Sequence, residues 1–275
     1  MTERWFQAAF GAHYPLLYAH RDESEARRCL DLLPRLAPLV APGSEPSIPI
    51  LDLGCGDGRH LADLAGAGIP AIGVDLSAAL LETARDRLVN LAHVHLVRGD
   101  MRSLPLADRS CAGVLSLFTA FGYFDDRLEN RRPVAEVSRV LVPGGHWFLD
   151  YFDVDRVKQD LADGRQRIRE RTLEPLQVRE TRWLDTATSR VCKEVCLTPL
   201  PGHEARAERF GVSGDGLRYT EQVALYELAE LDDLATSHGL LPVASAGSYE
   251  GEPLGTGDRW ILVFRKEGSD NHGDR

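Results

Sequence analysis

No stretch of this sequence reaches the roughly 18 consecutive apolar residues of a membrane-spanning helix. Its first ten residues, MTERWFQAAF, also lack the basic segment and apolar run of a secretory signal. Basic side chains are in short supply: 32 Lys and Arg face 42 Asp and Glu, for a formal net charge of −10. That balance leaves no broad positive field to set against a phosphate backbone, which argues against nucleic acid as the main partner. The alternating Arg165, Arg167, Arg169 and Arg171 sit among Glu170, Glu174 and Glu180, the pattern of a solvated strand face rather than a binding surface. Cysteines number five, odd in a chain long enough to do without disulfide staples, so they read as reduced thiols. No zinc-ligand spacing is present, and no metal is expected; Cys192 and Cys196 fall on one face of an extended stretch, where packing accounts for them. The predicted location is the cytoplasm, away from membranes.

What is present is the composition of a globular protein: 275 residues, 43% hydrophobic and 27% charged. The length suits one α/β domain carrying an elaboration. Residues 1–45 hold two apolar, helix-like pieces over 5–17 and 26–36 and form an N-terminal helical cap, ending in the breaker-rich PLVAPGSEPSIP. A short buried strand over 50–53, a glycine turn over 54–58 and a helix with Leu61, Leu64 and Ala65 inward make the first α/β unit. A strand over 71–74 follows, then Ser77 as N-cap of a helix lined by Leu80, Leu81, Ala84 and Leu88, and a third strand over 94–97. A fourth strand over 111–117, a helix over 128–141, the turn Pro143-Gly144-Gly145 and a fifth strand over 147–150 complete an alternation that predicts a parallel sheet with helices on both faces. Residues 153–220 change character, with charged residues interleaved through amphipathic segments, and read as an inserted antiparallel subdomain. A helix over 221–238 and strands over 241–245 and 259–264 close the core, which thus comprises 46–152 and 221–266. The polar tail over 266–275 is expected to fray.

The chemistry concentrates in Leu51-Asp52-Leu53-Gly54-Cys55-Gly56-Asp57-Gly58. Glycines at the carboxyl end of a first strand let the backbone approach a ligand beside a helix N-terminus, or simply make a tight turn between packed elements. Asp75, at the tip of the second strand and 21 residues past Gly54, favours the ligand, because a carboxylate there can accept both hydroxyls of a ribose. A dinucleotide fingerprint wants a glycine at the sixth place, where this chain has Arg59, so a nicotinamide oxidoreductase is disfavoured. Asp52 is awkward beside a pyrophosphate but suits a ligand bearing ammonium and sulfonium charges; it can equally pin the glycine loop. Asp100 either caps the turn into Arg102 and Ser103 or faces the ligand. The rings of Phe118, Phe121, Tyr123 and Phe124 are divided between core and site.

The ordered segments ILDLGCGDGRH, IGVDLS, GDMRSLP, LFTAFGYF and RVLVPGGHWFLDYF resemble the successive motifs of class I S-adenosylmethionine-dependent methyltransferases, and HGLLPV and WILVFRK resemble the end of that fold. The resemblance implies a Rossmann-like seven-stranded, mostly parallel sheet flanked by helices, its last strand antiparallel, with an antiparallel β insertion after the fifth strand. It implies S-adenosyl-L-methionine as cofactor and S-adenosyl-L-homocysteine as product. By position, Asp52, Gly54, Cys55 and Gly56 would lie along the methionyl part, Asp75 would hold the ribose diol and Leu76 would flank the adenine. Asp100 would accept from the adenine amino group with Met101 beside the ring, and Phe118 and Thr119 would stand near the methionyl moiety and acceptor. The Asn/Asp-Pro-Pro-aromatic signature of base methylation is missing, which again disfavours nucleic acid. FTAFGYF is similar to a bacterial branch of small-molecule methyltransferases in which an N-terminal helix closes over the cofactor. Trp5, Phe6, Phe10, Tyr14 and Tyr18 then read as an aromatic lid, with Tyr14 or Tyr18 in direct contact, or as an ordinary packed face.

Because a sulfonium methyl group is already activated, no catalytic residue is obligatory. Tyr123, Tyr151 and Asp153 are the acceptor-side candidates, with His20 and His238 behind them and His146 read as structural. The expected activity is methyl transfer to a small-molecule acceptor; methylation of a protein or RNA, or a non-catalytic adenosyl-ligand-binding protein, are the alternatives. The sequence leaves the acceptor and the oligomeric state open.

Overall fold

The structure is a computed structural model and describes residues 4–19, 23–40, 43, 45 and 47–268. His20 and the tail beyond 268, for which expectations were stated above, lie outside the described residues.

The cap begins with α1 (Trp5–Ala9), α2 (Tyr14–Leu17) and α3 (Glu23–Leu36). The predicted single helix over 5–17 is thus two short ones. Pro15 has no N–H to continue the first helix and sits instead in the first turn of the second, where that N–H is not needed. The α/β alternation follows: β1 (Ile50–Leu53), α4 (Arg59–Gly66), β2 (Ala71–Asp75), α5 (Ala78–Leu88), β3 (Val94–Arg98), β4 (Cys111–Ser116), α6 (Arg127–Val140) and β5 (Leu141–Phe152). After β5 come α7 (Val154–Asp160), β6 (Arg167–Leu173), β7 (Leu176–Asp185), β8 (Arg190–Pro199), α8 (Glu204–Glu208) and β9 (Leu217–Ala224), then α9 (Leu228–Thr236), β10 (Leu240–Ala246) and β11 (Arg259–Lys266).

Seven strands form one sheet in the order β10-β11-β5-β4-β1-β2-β3. Strands β1 to β5 pair in parallel, and β11 runs antiparallel to both of its neighbours. The strand order reverses between β1 and β4, which opens a crevice at their carboxyl ends. One face of the sheet is covered by α3, α4 and α5 through Leu32, Leu61, Leu81 and Ala84; the other is covered by α6, α7 and α9 through Val134, Val137, Val157 and Leu231. Coverage of both faces explains why β1 and β4 are buried at every position rather than alternately, with Asp52 and Ser116 their polar residues.

Three boundaries differ from the sequence reading. Pro143-Gly144-Gly145 is not a turn before the fifth strand but lies inside β5, where the pairing jumps from Cys111–Leu141 to Gly113–His146 and the extra residues bulge outward. The region after β5 opens with a helix, α7, because the Asp153 carboxylate caps it by accepting from Arg156 N. The helix expected from 221 starts at Leu228, because residues up to Ala224 pair with β8. Strands β6 to β9 form a separate antiparallel sheet, each pairing with the next. Its inner face, with Val178, Val195, Leu197 and Tyr219, packs on Ala9 and Leu17 of the cap. Cap and second sheet therefore share an apolar core of their own.

Candidate functional site

The crevice at the switch point is a cavity of about 410 Å³. Its floor is the loop after β1. Gly54, Gly56 and Gly58 all have positive φ (80°, 54° and 77°), a conformation that L side chains adopt only at a cost. A Cβ on Gly58 would come within 3.0 Å of Ala84, so α5 can approach the loop only over a glycine. A Cβ on Gly56 would meet nothing within 4 Å: the backbone there borders open cavity.

Asp75 fastens this loop to the tip of β2. Its Oδ2 accepts from Gly56 N at 2.9 Å and its Oδ1 from Ser77 N at 2.8 Å, while Ser77 Oγ caps α5 by accepting from Leu80 N. Burial pushes the Asp75 carboxyl above the usual carboxylate range, and the two amide hydrogen bonds oppose that shift without cancelling it. Asp52, on β1, is 1% exposed, and its Oδ2 finds no hydrogen-bond partner among the described residues. His60 Nδ1 stands 3.7 Å from that oxygen; the ring is 4% exposed, its Nε2 equally unpartnered, and it stacks on Phe118 with centroids 5.3 Å apart. An orphaned buried carboxylate oxygen is expensive unless something completes it. Asp52 and His60 both line the cavity.

Asp100 lines the cavity at the end of β3 together with Met101, and Leu76 follows Asp75 on the same wall. The Asp100 carboxylate accepts from Arg102 N at 2.9 Å and from the Arg102 guanidinium at 2.6 and 3.0 Å, while Ser103 N donates to Asp100 O. The turn-capping geometry considered from sequence is thus present, on a carboxylate that also borders the cavity. Partial burial raises the Asp100 carboxyl, but the hydrogen bonds from Arg102 outweigh it and hold the group below the usual range.

The opposite wall is aromatic. Phe118 follows β4, and Phe6, Phe10, Tyr14 and Tyr123 line the cavity with it. Trp5 Nε1 donates to Tyr123 O at 3.2 Å and Ser77 Oγ donates to Phe10 O at 2.6 Å, so the cap is tied to both rims. Phe118 and Thr119 are held in left-handed backbone (φ 53° and 64°), a strain of roughly 1–2 kcal/mol per residue. Arg59, the residue that spoils the dinucleotide fingerprint, places its guanidinium 4.6 Å from the Phe118 ring centroid.

Of the residues singled out from sequence, Tyr14, Asp52, Gly54, Cys55, Gly56, Asp75, Leu76, Asp100, Met101, Phe118 and Tyr123 line the cavity. Four do not. Tyr18 turns to the second sheet, donating to Glu221 Oε1 at 3.1 Å and accepting from Lys193 Nζ. Thr119 points away, its Oγ1 accepting from Arg259 Nη2 at 3.2 Å. Tyr151 is fully buried; its hydroxyl donates to Ala224 O, and burial pushes its pKa well up. Asp153 is occupied in capping α7. Asp153 follows the fifth strand as expected but turns to the helix start, whereas Tyr151 lies within that strand, opposite Trp260, and its side chain goes to the sheet's far face.

Sequence reasoning missed His60, Gln7 and Arg98, which also line the cavity. His60 carried a legible signal, because the first turn of the helix after a glycine loop faces back over the strand. Among the described residues no group of three or more His, Cys, Asp or Glu side chains is arranged to hold a metal, and no helix is long and apolar enough to cross a membrane.

Strand order, single antiparallel strand and switch-point cavity define the class I methyltransferase fold. The CcbJ methyltransferase from Streptomyces caelestis superposes with a TM-score of 0.72 at 18% identity, covering 95% of this chain and 99% of that one. Residues 50–145 match the methyltransferase domain family. This chain is 32% identical over 160 residues to the dTDP-3-amino-3,4,6-trideoxy-alpha-D-glucopyranose N,N-dimethyltransferase of Streptomyces venezuelae, covering 55% of the chain and 64% of that protein. It is 28% identical over 218 residues to the cypemycin N-terminal methyltransferase of a Streptomyces species, covering 78% and 81%. The chain spans about half the length of several curated relatives that it matches.

Proposed function

We propose that this protein is an S-adenosylmethionine-dependent methyltransferase acting on a small-molecule acceptor. The observation that carries the reading is the row of carboxylates Asp52, Asp75 and Asp100 on the cavity wall, supplied by the ends of the adjacent strands β1, β2 and β3, which stand about 4.8 Å apart. A cofactor with an ammonium, a ribose diol and an adenine amino group asks for an acceptor at each of three such steps. The unmatched Asp52 Oδ2 fits the ammonium end, whereas a dinucleotide would bring a pyrophosphate against it. In this reading Asp75 takes the ribose hydroxyls, Leu76 and Met101 flank the adenine, Asp100 accepts from its amino group, and Gly54, Cys55 and Gly56 form the floor under the methionyl chain.

When bound, the cofactor supplies a methyl group on a positive sulfur. The chain's contribution is to hold an acceptor in line with that methyl and to keep water out. Phe6, Phe10, Tyr14 and Tyr123 form the apolar closure, and Tyr123 is the acceptor-side candidate that borders the cavity. An N-terminal segment tied to both rims of the cavity supports a small acceptor over a folded protein or an RNA, and so does the net charge of −10. Residues 1–45 then act as cap, 46–152 and 221–266 as cofactor core, and 153–220 as an insert that backs the cap. Five free thiols support a reducing, cytoplasmic setting.

The relatives suggest which acceptors to try first. The Streptomyces venezuelae protein is named for a nucleotide amino sugar, and the cypemycin protein, whose match covers most of this chain, is named for a peptide N-terminus. Both are amines. The test is calorimetry of the full chain with S-adenosylmethionine, S-adenosylhomocysteine and NAD, followed by a labelled-methyl screen of amino-sugar nucleotides and of peptide amines. Binding of the adenosyl ligands with transfer to an amino sugar supports the reading. Binding of NAD alone overturns it, and adenosyl binding with no transfer to any acceptor favours a ligand sensor.

A further inference from the structure

Asp75 and the glycine loop account for one end of the cavity. At the other end Phe118 and Thr119 adopt left-handed backbone although neither is glycine, and such a conformation persists only where the surroundings over-determine it. Here they do. Asp150, on β5 and fully buried, accepts from Phe118 N at 2.7 Å and from Tyr249 Oη at 2.7 Å through one carboxylate oxygen, and from Arg259 Nε through the other. Its backbone oxygen accepts from Thr119 N at 2.9 Å, and Arg259 Nη2 reaches Thr119 Oγ1 at 3.2 Å. The guanidinium also faces the rings of Phe118 and Tyr249. Both strained residues are therefore bonded, by amide and by side chain, to one buried ion pair.

The register explains how the pair arises. Asp150 lies opposite Ile261 and Phe152 opposite Arg259 in the β5–β11 ladder, so Asp150 and Arg259 are diagonal neighbours on one face, while Tyr151 points to the other. Neither Asp150, Arg259 nor Tyr249 lines the cavity; Phe118 does. In the sheet order the exit of β4 adjoins that of β1, where Asp52 and Cys55 sit, and lies three strands from that of β3. Those three steps amount to about 14 Å. A ligand that reaches Asp100 thus presents only its far end to Phe118.

We propose that Asp150, Arg259 and Tyr249 are positioning residues for the cofactor: their buried ion pair holds residues 118 and 119 in the left-handed form that sets Phe118 against the methionyl end of the site. The inference rests on the cofactor reading above. It separates from that reading by comparing S-adenosylhomocysteine with 5′-methylthioadenosine, which keeps the adenine, ribose and thioether but lacks the amino-acid tail.

The experiment is calorimetry of both ligands on the full chain and on Tyr249→Phe, Arg259→Lys, Arg259→Met and Asp150→Asn, with a melting curve for each. Tyr249→Phe removes one donor and keeps the ion pair, so it tests the proposal even where Asp150→Asn does not fold. The expected result is that Tyr249→Phe weakens S-adenosylhomocysteine by about 5–10-fold and leaves 5′-methylthioadenosine within about twofold. Arg259→Met is expected to lose more than Tyr249→Phe, and Arg259→Lys to recover part of that loss. A merely structural role predicts lower melting temperatures with both ligands weakened alike, or with neither changed; either outcome overturns the proposal. A parent protein that binds neither ligand overturns the cofactor reading itself, and this inference with it.

Discussion

At the β2 end of the cavity Asp75 is bonded to Gly56 N and Ser77 N, partners 19 and 2 residues away, whereas at the β4 end Phe118 N is bonded to Asp150, 32 residues away. Asp150 in turn takes Tyr249 and Arg259, 99 and 109 residues further along the chain. The first end is built by a glycine turn and a capped helix, whose requirements are local and show in residue types. The second is built by an ion pair between strands β5 and β11, and its geometry exists only once the sheet has closed. Both hold a backbone segment against the same cavity. Glycine lowers the conformational cost at Gly54 and Gly56, while at Phe118 and Thr119 the cost is met by buried charge.

The largest effect that would sharpen this contrast is on folding. Asp150→Ala leaves Arg259, largely buried, without its carboxylate, and should destabilise the protein by about 3–5 kcal/mol in a denaturant titration. A loss under 1 kcal/mol would show that the left-handed backbone does not depend on the pair. Next comes Asp75→Ala, which should weaken S-adenosylhomocysteine by roughly 1.5–3 kcal/mol in calorimetry, since it removes the ribose acceptor and also frees Gly56 N. Unchanged affinity would break the assignment of the local end. Asp153→Ala should cost about 1 kcal/mol of stability through the lost cap on α7, with S-adenosylhomocysteine affinity the same as in the parent; a change in affinity would return Asp153 to the site.

The smallest effect is on pH. Burial raises the Asp75 carboxyl in the free protein, and a carboxylate that accepts two hydroxyls must be ionised to do so. Affinity should therefore be full above that raised pKa and fall as the pH drops through it, beginning at a higher pH than for an ordinary aspartate. Asp100, held low by Arg102 despite its burial, should contribute only at more acidic pH. Calorimetry across the acidic range tests this: an affinity flat down to the usual carboxylate range, or an Asp75→Asn variant with the parent's pH dependence, would assign the titration elsewhere.

Much of this was legible from residues alone where the signal is short-ranged. The alternation of apolar strands with amphipathic helices predicts the parallel sheet, and Ser77 caps α5 as its position suggested. Strand ends misled where pairing, not propensity, set them: Pro143-Gly144-Gly145 reads as a turn but is a bulge within β5, and Glu221 to Ala224 reads as helix but pairs with β8. The miss at Tyr151 has the same cause. A position at the close of a strand says that a residue is near the carboxyl end, yet the face is decided by a parity of one residue: Asp150 points toward the loop beneath Phe118, and Tyr151 toward Ala224.

By itself the amino-acid sequence determined the α/β class, the glycine loop after β1 and the acidic residues at successive strand ends, because helix period, turn conformation and capping act over a few residues. Which residues close the cavity and hold it in shape was decided only by the tertiary structure. Asp150, Tyr249 and Arg259 carry no local mark; they meet because β11 enters the sheet antiparallel beside β5, and a buried charge finds its partner through the register of that ladder rather than through distance along the chain.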